Sequence, residues 1–179
     1  ILPGYSSGWT GMGSAVADGE DLLTGMQAKK PGAAAARSGI VRWKRIGGSW
    51  RPVAFEAITP EDNSIESTLV RDLDGSLLYF ARGRRPAGPP ARVWRQAARG
   101  EPWNLRINVQ RMVPSTPVTL NRAVDGTPFV AGNLWQPEFR LPEGLHSDGG
   151  VSRLEPVGWR GERSTLCVWP LNEARDGFT

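Results

Sequence analysis

The chain has 179 residues, enough for one domain with a real core, and its 39% hydrophobic and 22% charged content excludes a disordered segment. One cysteine (Cys167) and one histidine (His146) exclude an internal disulfide and a multi-cysteine metal site; a Ser-His-Asp triad is possible only around His146. The net charge is +4, with Lys29, Lys30 and Lys44 the only lysines among 22 basic residues, and the scattered arginines form no basic run interleaved with stacking aromatics, so nucleic acid is not the expected partner.

No apolar run approaches the roughly 18–20 residues of a membrane span. No signal peptide is visible, and the chain opens Ile-Leu-Pro without Met, so its natural N-terminus is expected upstream. Glycine (22) and proline (15) punctuate short apolar runs throughout, the pattern of an all-β protein with many turns.

The first landmark is Val16-Ala17-Asp18-Gly19, followed by Leu22-Leu23. Asp-Gly between apolar runs predicts a hairpin with a type I′ turn, which needs positive φ at both central residues. Residues 32–36 are alanine-rich, but Pro31 and the flanking glycines favour a loop over a helix. Val41-Arg42-Trp43-Lys44 alternates apolar and polar residues, as a half-buried strand does.

The Asp-Gly landmark returns at Asp74-Gly75 and Asp125-Gly126, spacings of 56 (18 to 74) and 51 (74 to 125). The second and third copies align without gaps, Thr68-Leu69-Val70-Arg71-Asp72-Leu73-Asp74-Gly75 over Thr119-Leu120-Asn121-Arg122-Ala123-Val124-Asp125-Gly126. Between them Arg92-Val93-Trp94-Arg95 repeats the strand alternation.

A second landmark keeps step with the first. Its clearest copy is His146-Ser147-Asp148-Gly149-Gly150-Val151-Ser152-Arg153. Degenerate copies are Trp43–Trp50, which keeps Gly47, Ser49 and Trp50, and Gln96–Trp103, which keeps Gly100 and Trp103. These stretches resemble the Asp-box of bacterial neuraminidase repeats, Ser-x-Asp-x-Gly-x-Thr-Trp. Two landmarks per period describe a blade: one hairpin turns at Asp-Gly, a second at the box, where tryptophan packs against the blade. The expected fold is all-β, a sialidase-like β-propeller, with about three blades of a six-bladed whole. The repeats span roughly 15–55, 65–110 and 116–155, and the segment 160–179 starts a next blade. The closing Arg175–Thr179 reads as a loop cut in its middle, so the missing blades are expected in the same parent chain. The plainer alternative is a β-sandwich with chance Asp-Gly turns and no site.

The segment from Ser64 to Arg82 looks like a central stretch of the sialidase family, where a Glu opens a strand, a turn follows, and the return strand ends in Ala-Arg. The resemblance implies that Glu66 polarises a nucleophilic tyrosine and that Arg82 belongs to an arginine clamp on the sialic acid carboxylate. Arg163, heading Arg163-Ser164-Thr165-Leu166-Cys167-Val168-Trp169, resembles another clamp arginine. Asn133 takes the place of Arg82 one repeat later and is the remaining candidate for the pocket. The chemistry suits these residue types, since a guanidinium holds a carboxylate with two parallel hydrogen bonds, and tyrosine avoids setting an anionic nucleophile against an anionic sugar. The family also needs a tyrosine after the last clamp arginine, an acid/base Asp and an early clamp arginine. Only Tyr5 and Tyr79 exist here, neither after Arg163, and the other two have no match. The resulting expectation is an exo-sialidase-like hydrolase fragment acting on terminal sialic acid or a related anionic sugar, inactive by itself. The alternative is a non-catalytic propeller that binds glycans or proteins. No metal or organic cofactor is implied, and the family, whose bacterial members are often exported, suggests a secreted or periplasmic protein.

Among the remaining candidates, Asp148, Asp74 and Asp125 read as turn residues, and Cys167 as a small buried residue in a strand. Trp135 and Trp159 fit core packing or an exposed sugar-stacking platform.

Overall fold

A computed structural model describes residues 2, 4–10, 13, 15–62, 64–83, 90–109, 119–133 and 166–179. The described residues contain no helix; they form twelve strands in three antiparallel sheets that curl, one into a half-barrel. The first sheet holds β1 (Ser7–Thr10), β2 (Val16–Asp18), β3 (Asp21–Lys29), β4 (Arg37–Ile46) and β5 (Ser49–Ala57), with β1 and β2 sharing one side of the longer β3. The second is a meander of β6 (Ile65–Arg71), β7 (Leu77–Arg82), β8 (Ala91–Gln96) and β9 (Asn104–Val109). The third joins β10 (Thr119–Arg122), β11 (Pro128–Asn133) and β12 (Leu166–Pro170). The alanine-rich 32–36 is a loop, and Arg37 after it opens β4.

The three sheets stack in chain order. Leu23 and Ile40 of the first pack on Leu69, Leu77, Tyr79, Ala81 and Trp94 of the second. On the opposite face of the second sheet, Val70, Leu78, Phe80 and Val93 pack on Leu120 and Val130 of the third. All six residues of β7 are buried, which is why its sequence is a continuous Leu-Leu-Tyr-Phe-Ala run and not an alternation.

Backbone contacts set the seams. A Cβ on Gly25 of β3 would lie 2.3 Å from the Ser67 carbonyl oxygen of β6. On the other side of β6, Thr68 Oγ1 accepts the Leu120 N–H of β10 at 2.7 Å. Arg71 donates to the Ala17 carbonyl at 3.0 Å, and Arg122 donates to the Arg71 carbonyl at 3.1 Å. Arg71 and Arg122 are equivalent in the 51-residue alignment, so each reaches back one sheet in the same way.

The turns correct the sequence reading. Asp72 N–H donates to the Ser76 carbonyl and Gly75 N–H to that of Asp72; Ala123, Thr127 and Gly126 repeat the arrangement. Only the glycines, Gly75 (φ 85°) and Gly126 (φ 91°), are left-handed there. These are type I turns closed by a left-handed glycine bulge, not type I′. Asp18 pairs with Asp21, so the first turn is the two-residue Gly19–Glu20, with positive φ at Gly19 alone. The type I′ geometry occurs instead between β4 and β5, where Gly47 (φ 58°) and Gly48 (φ 80°) are both left-handed. Trp50 beside it is 44% exposed instead of packed, while Trp103 does pack against the core.

Residues 166–170, expected to start a further blade, pair with β11 as the third strand of the third sheet. Within it Cys167 is only half-buried. The segment after them is not a dangling loop: Leu171 bridges to Phe178, and the Thr179 N–H returns to the Pro170 carbonyl at 3.0 Å. Arg175, left-handed at φ 58°, holds the buried Asp72 carboxylate through Nε at 2.6 Å and Nη2 at 3.2 Å.

The Gly25 contact yields a measurable expectation. Gly25→Ala forces β3 off β6 and should cost about 3 kcal/mol, read as a lower urea midpoint with an unchanged slope. A midpoint equal to that of the unaltered protein would show that the two strands are not in backbone contact.

Candidate functional site

The meanders have two unlike ends. The short turns after β2, β4, β6, β8 and β10 lie at one end, and the links after β3, β5 and β7 lie at the other. Glu66 and Arg82 belong to this second, open end, where loops are free to carry recognition.

Register explains their meeting. Ile65 pairs with Arg82 and Ser67 with Ala81, so Glu66 is the extra residue of a β-bulge. Its φ of 40° is left-handed, a strained setting for a residue with a side chain. The bulge turns its half-buried carboxylate onto the buried Arg82 guanidinium, and Nη1 of Arg82 forms an ion pair with Oε2 of Glu66. Arg82 follows Phe80 on the face of β7 that looks toward the third sheet. Asn133 ends β11 as Arg82 ends β7, and its backbone is paired with Leu166. Arg163, His146, Asp148, Trp135 and Trp159 lie outside the described residues.

A second polar cluster occupies the same end on the face toward the first sheet. Arg92 of β8 pairs with Asp62 and donates to Ser64 Oγ at 2.8 Å, and its guanidinium lies 5.0 Å from the Trp94 ring centroid. The Ser64 N–H and hydroxyl donate to Asp62 Oδ1 at 3.0 and 2.7 Å, an Asx-type turn. Ser38 of β4 donates to the Ser64 carbonyl at 2.6 Å, and Arg37 Nε to the Thr59 carbonyl at 2.6 Å. Sequence reasoning passed over Arg92 and Asp62. The available signal was Asp-Asn-Ser just before the β6 strand, a turn-forming run that fixes an acid at the strand entrance.

Neither tyrosine meets Glu66. Tyr79 is fully buried between the first two sheets, against Trp94 and Trp103, with its hydroxyl beside those of Ser67 and Ser38 but in bonding geometry with neither. Burial pushes its phenol far above the ordinary value, the opposite of an activated nucleophile. Tyr5 packs edge-on against Phe55. Among the described residues no group of three His, Cys, Asp or Glu could hold a metal ion, and no helix is long and apolar enough to cross a membrane.

At the turn end, a cavity of about 130 Å³ between the first two sheets is lined by Asp18, Arg42, Arg71 and Arg99. Its charges are already matched: Asp18 accepts from Arg42 at 2.8 Å and Arg71 at 3.1 Å, with Arg99 at 3.7 Å, and Arg42 also holds Asp21 at 2.9 Å. This is a structural knot of charges.

No protein-family model matches the chain, and no curated protein does either.

The knot carries a pH signature. Burial opposes ionisation of Asp18, but the hydrogen bond and charge of Arg42, with Arg99 and Arg71 behind, hold its carboxyl below the usual 3.8. A depressed folded-state value contributes stability that is complete above the unfolded value and is lost as pH falls through the folded one. Asp18→Asn should therefore cost about 1 kcal/mol at neutral pH, discounted for solvent around Arg71 and Arg99. The deficit should shrink below about pH 4. A deficit constant from pH 7 to pH 3 in urea titrations would remove Asp18 as the source.

Proposed function

We propose that the chain is part of a sialidase-like β-propeller whose open end recognises the carboxylate of an acidic sugar such as sialic acid. The stacked meanders, each turning at one end and looping at the other, are the arrangement that blades require. The observation that carries the functional reading is the Glu66–Arg82 pair. A strained bulge turns a carboxylate onto a buried arginine at the entrance of the second sheet, and backbone strain of this kind clusters where a side chain must be aimed. Glu66 fixes one edge of the guanidinium and so orients the planar fork. In this reading Arg82 takes the sugar carboxylate, Asn133 and Arg163 extend the pocket, and Glu66 serves as a positioning residue for Arg82 before any role toward a tyrosine. Hydrolysis by the exo-sialidase route needs a tyrosine beside Glu66. Tyr79 is buried in the core and Tyr5 packs on Phe55, so on this route the tyrosine comes from outside these 179 residues; the second reading is a propeller that binds acidic glycans without cleaving them.

Titration with N-acetylneuraminic acid and its methyl ester, followed by ligand-observed NMR, tests the proposal. The acid should bind and the ester should bind roughly tenfold or more weakly, since the ester removes the charge-assisted pair. Arg82→Gln should abolish the difference, and Glu66→Gln should weaken acid binding with the same melting temperature. Equal binding of acid and ester would overturn the carboxylate site. Turnover of a fluorogenic sialoside would decide for the hydrolase against the binding module.

A further inference from the structure

The β4–β5 hairpin extends past the sheet that carries it. Pairing with β3 stops at Leu22–Trp43, while the β4–β5 ladder continues through Lys44–Arg51, Arg45–Trp50 and Ile46–Ser49. Every residue from 44 to 51 is exposed, including Ile46 at 55% and Trp50 at 44%. A free two-stranded ribbon gains nothing from holding an isoleucine and a tryptophan in water, so apolar side chains there mark a contact surface. No acidic residue occurs between Asp21 and Glu56, and Asp18 and Asp21 are occupied by Arg42. The ribbon is therefore cationic as well as apolar.

The order of residues along the ribbon selects the partner. Its leading edge is the Gly47–Gly48 turn, which carries no side chains. Ile46 follows on one face and Trp50 on the other. Lys44 and Arg51 stand opposite each other one pair further back on the Ile46 face, and Arg45 lies alongside Trp50. At the rise of an extended strand, Lys44 sits roughly 7 Å behind Ile46. That offset matches the depth of about 5–10 Å to which interfacial segments enter a bilayer. Apolar groups on both faces, with cations behind Ile46 and level with Trp50, suit end-on entry into a charged interface, with the indole at headgroup level and the cations on lipid phosphates and carboxylates. A polyanionic chain such as a glycan or nucleic acid uses charge and stacking along one flank and gives Ile46 no role.

We propose that the β4–β5 ribbon is a docking element for an anionic lipid surface. It lies at the turn end, so docking leaves the open end with Glu66 and Arg82 facing away from the lipid.

Co-sedimentation with phosphatidylcholine vesicles, with and without phosphatidylserine at low salt, tests this. The protein should pellet only with phosphatidylserine. Lys44→Glu with Arg51→Glu should reduce the bound fraction by roughly tenfold or more, and Ile46→Ser with Trp50→Ser should reduce it as well. Lys30→Glu, at the opposite end, should leave it unchanged. The single change Arg51→Glu, checked for an unaltered melting temperature, separates lost docking from lost folding. Absence of binding to phosphatidylserine vesicles would overturn the proposal. So would full binding by the Ile46/Trp50 variant, with heparin capturing the protein through the same lysine and arginines, since the ribbon would then be a polyanion site.

Discussion

The structure depends on how closely β6 is approached from both sides. Gly25 presents no side chain to the Ser67 backbone, so β3 can lie directly against it. On its other flank Thr68 lends its hydroxyl oxygen to a backbone N–H of β10. Residues 67–70 of β6 are consequently buried, and the small polar pair Ser67–Thr68 stands where a pure core would carry larger aliphatics. Burying such groups costs free energy unless hydrogen bonds compensate; Thr68 is compensated by β10 itself, whereas the Ser67 hydroxyl is buried without a hydrogen-bond partner.

That dependence explains what the sequence revealed and what it hid. The hairpins were legible because Asp-Gly is a local signal, and Thr68–Gly75 and Thr119–Gly126, 51 residues apart, share their turn hydrogen bonds and the matching reach of Arg71 and Arg122. Turn type was misread because a dipeptide does not reveal loop length: Asp72 pairs with Ser76, so the loop is longer than the two residues that type I′ needs. The Glu66–Arg82 contact was foreseen only as a juxtaposition. The bulge that creates it is a register event, and register is set by the partner strand. The Arg92–Asp62–Ser64 cluster was illegible for a related reason, since its members lie 28 and 30 residues apart in the chain and meet only through the link after β5.

The two ends of the sheets divide the labour between them. Behind the projecting β4–β5 ribbon, the turn end is held by paired charges: Asp18 with Arg42, Arg71 and Arg99, Asp74 with Arg95, and Asp72 with Arg175. These pairs clamp one sheet, or one hairpin, to the next. At the open end the paired groups sit at strand entrances, where links can vary without disturbing a core contact. A scaffold closed by ion pairs at one end can tolerate strain at the other, as the left-handed Glu66 requires.

The arginine reach from each inner strand to the one before it has a direction. Arg71 finds the Ala17 carbonyl of an earlier sheet, and Arg122 finds the Arg71 carbonyl. In both, the acceptor belongs to the part of the chain synthesised first. Each new sheet thus meets a completed acceptor surface as it leaves the ribosome, at the pace of chain elongation. A unit inserted between two sheets would have to supply both the carbonyl it takes the place of and the arginine that looks back.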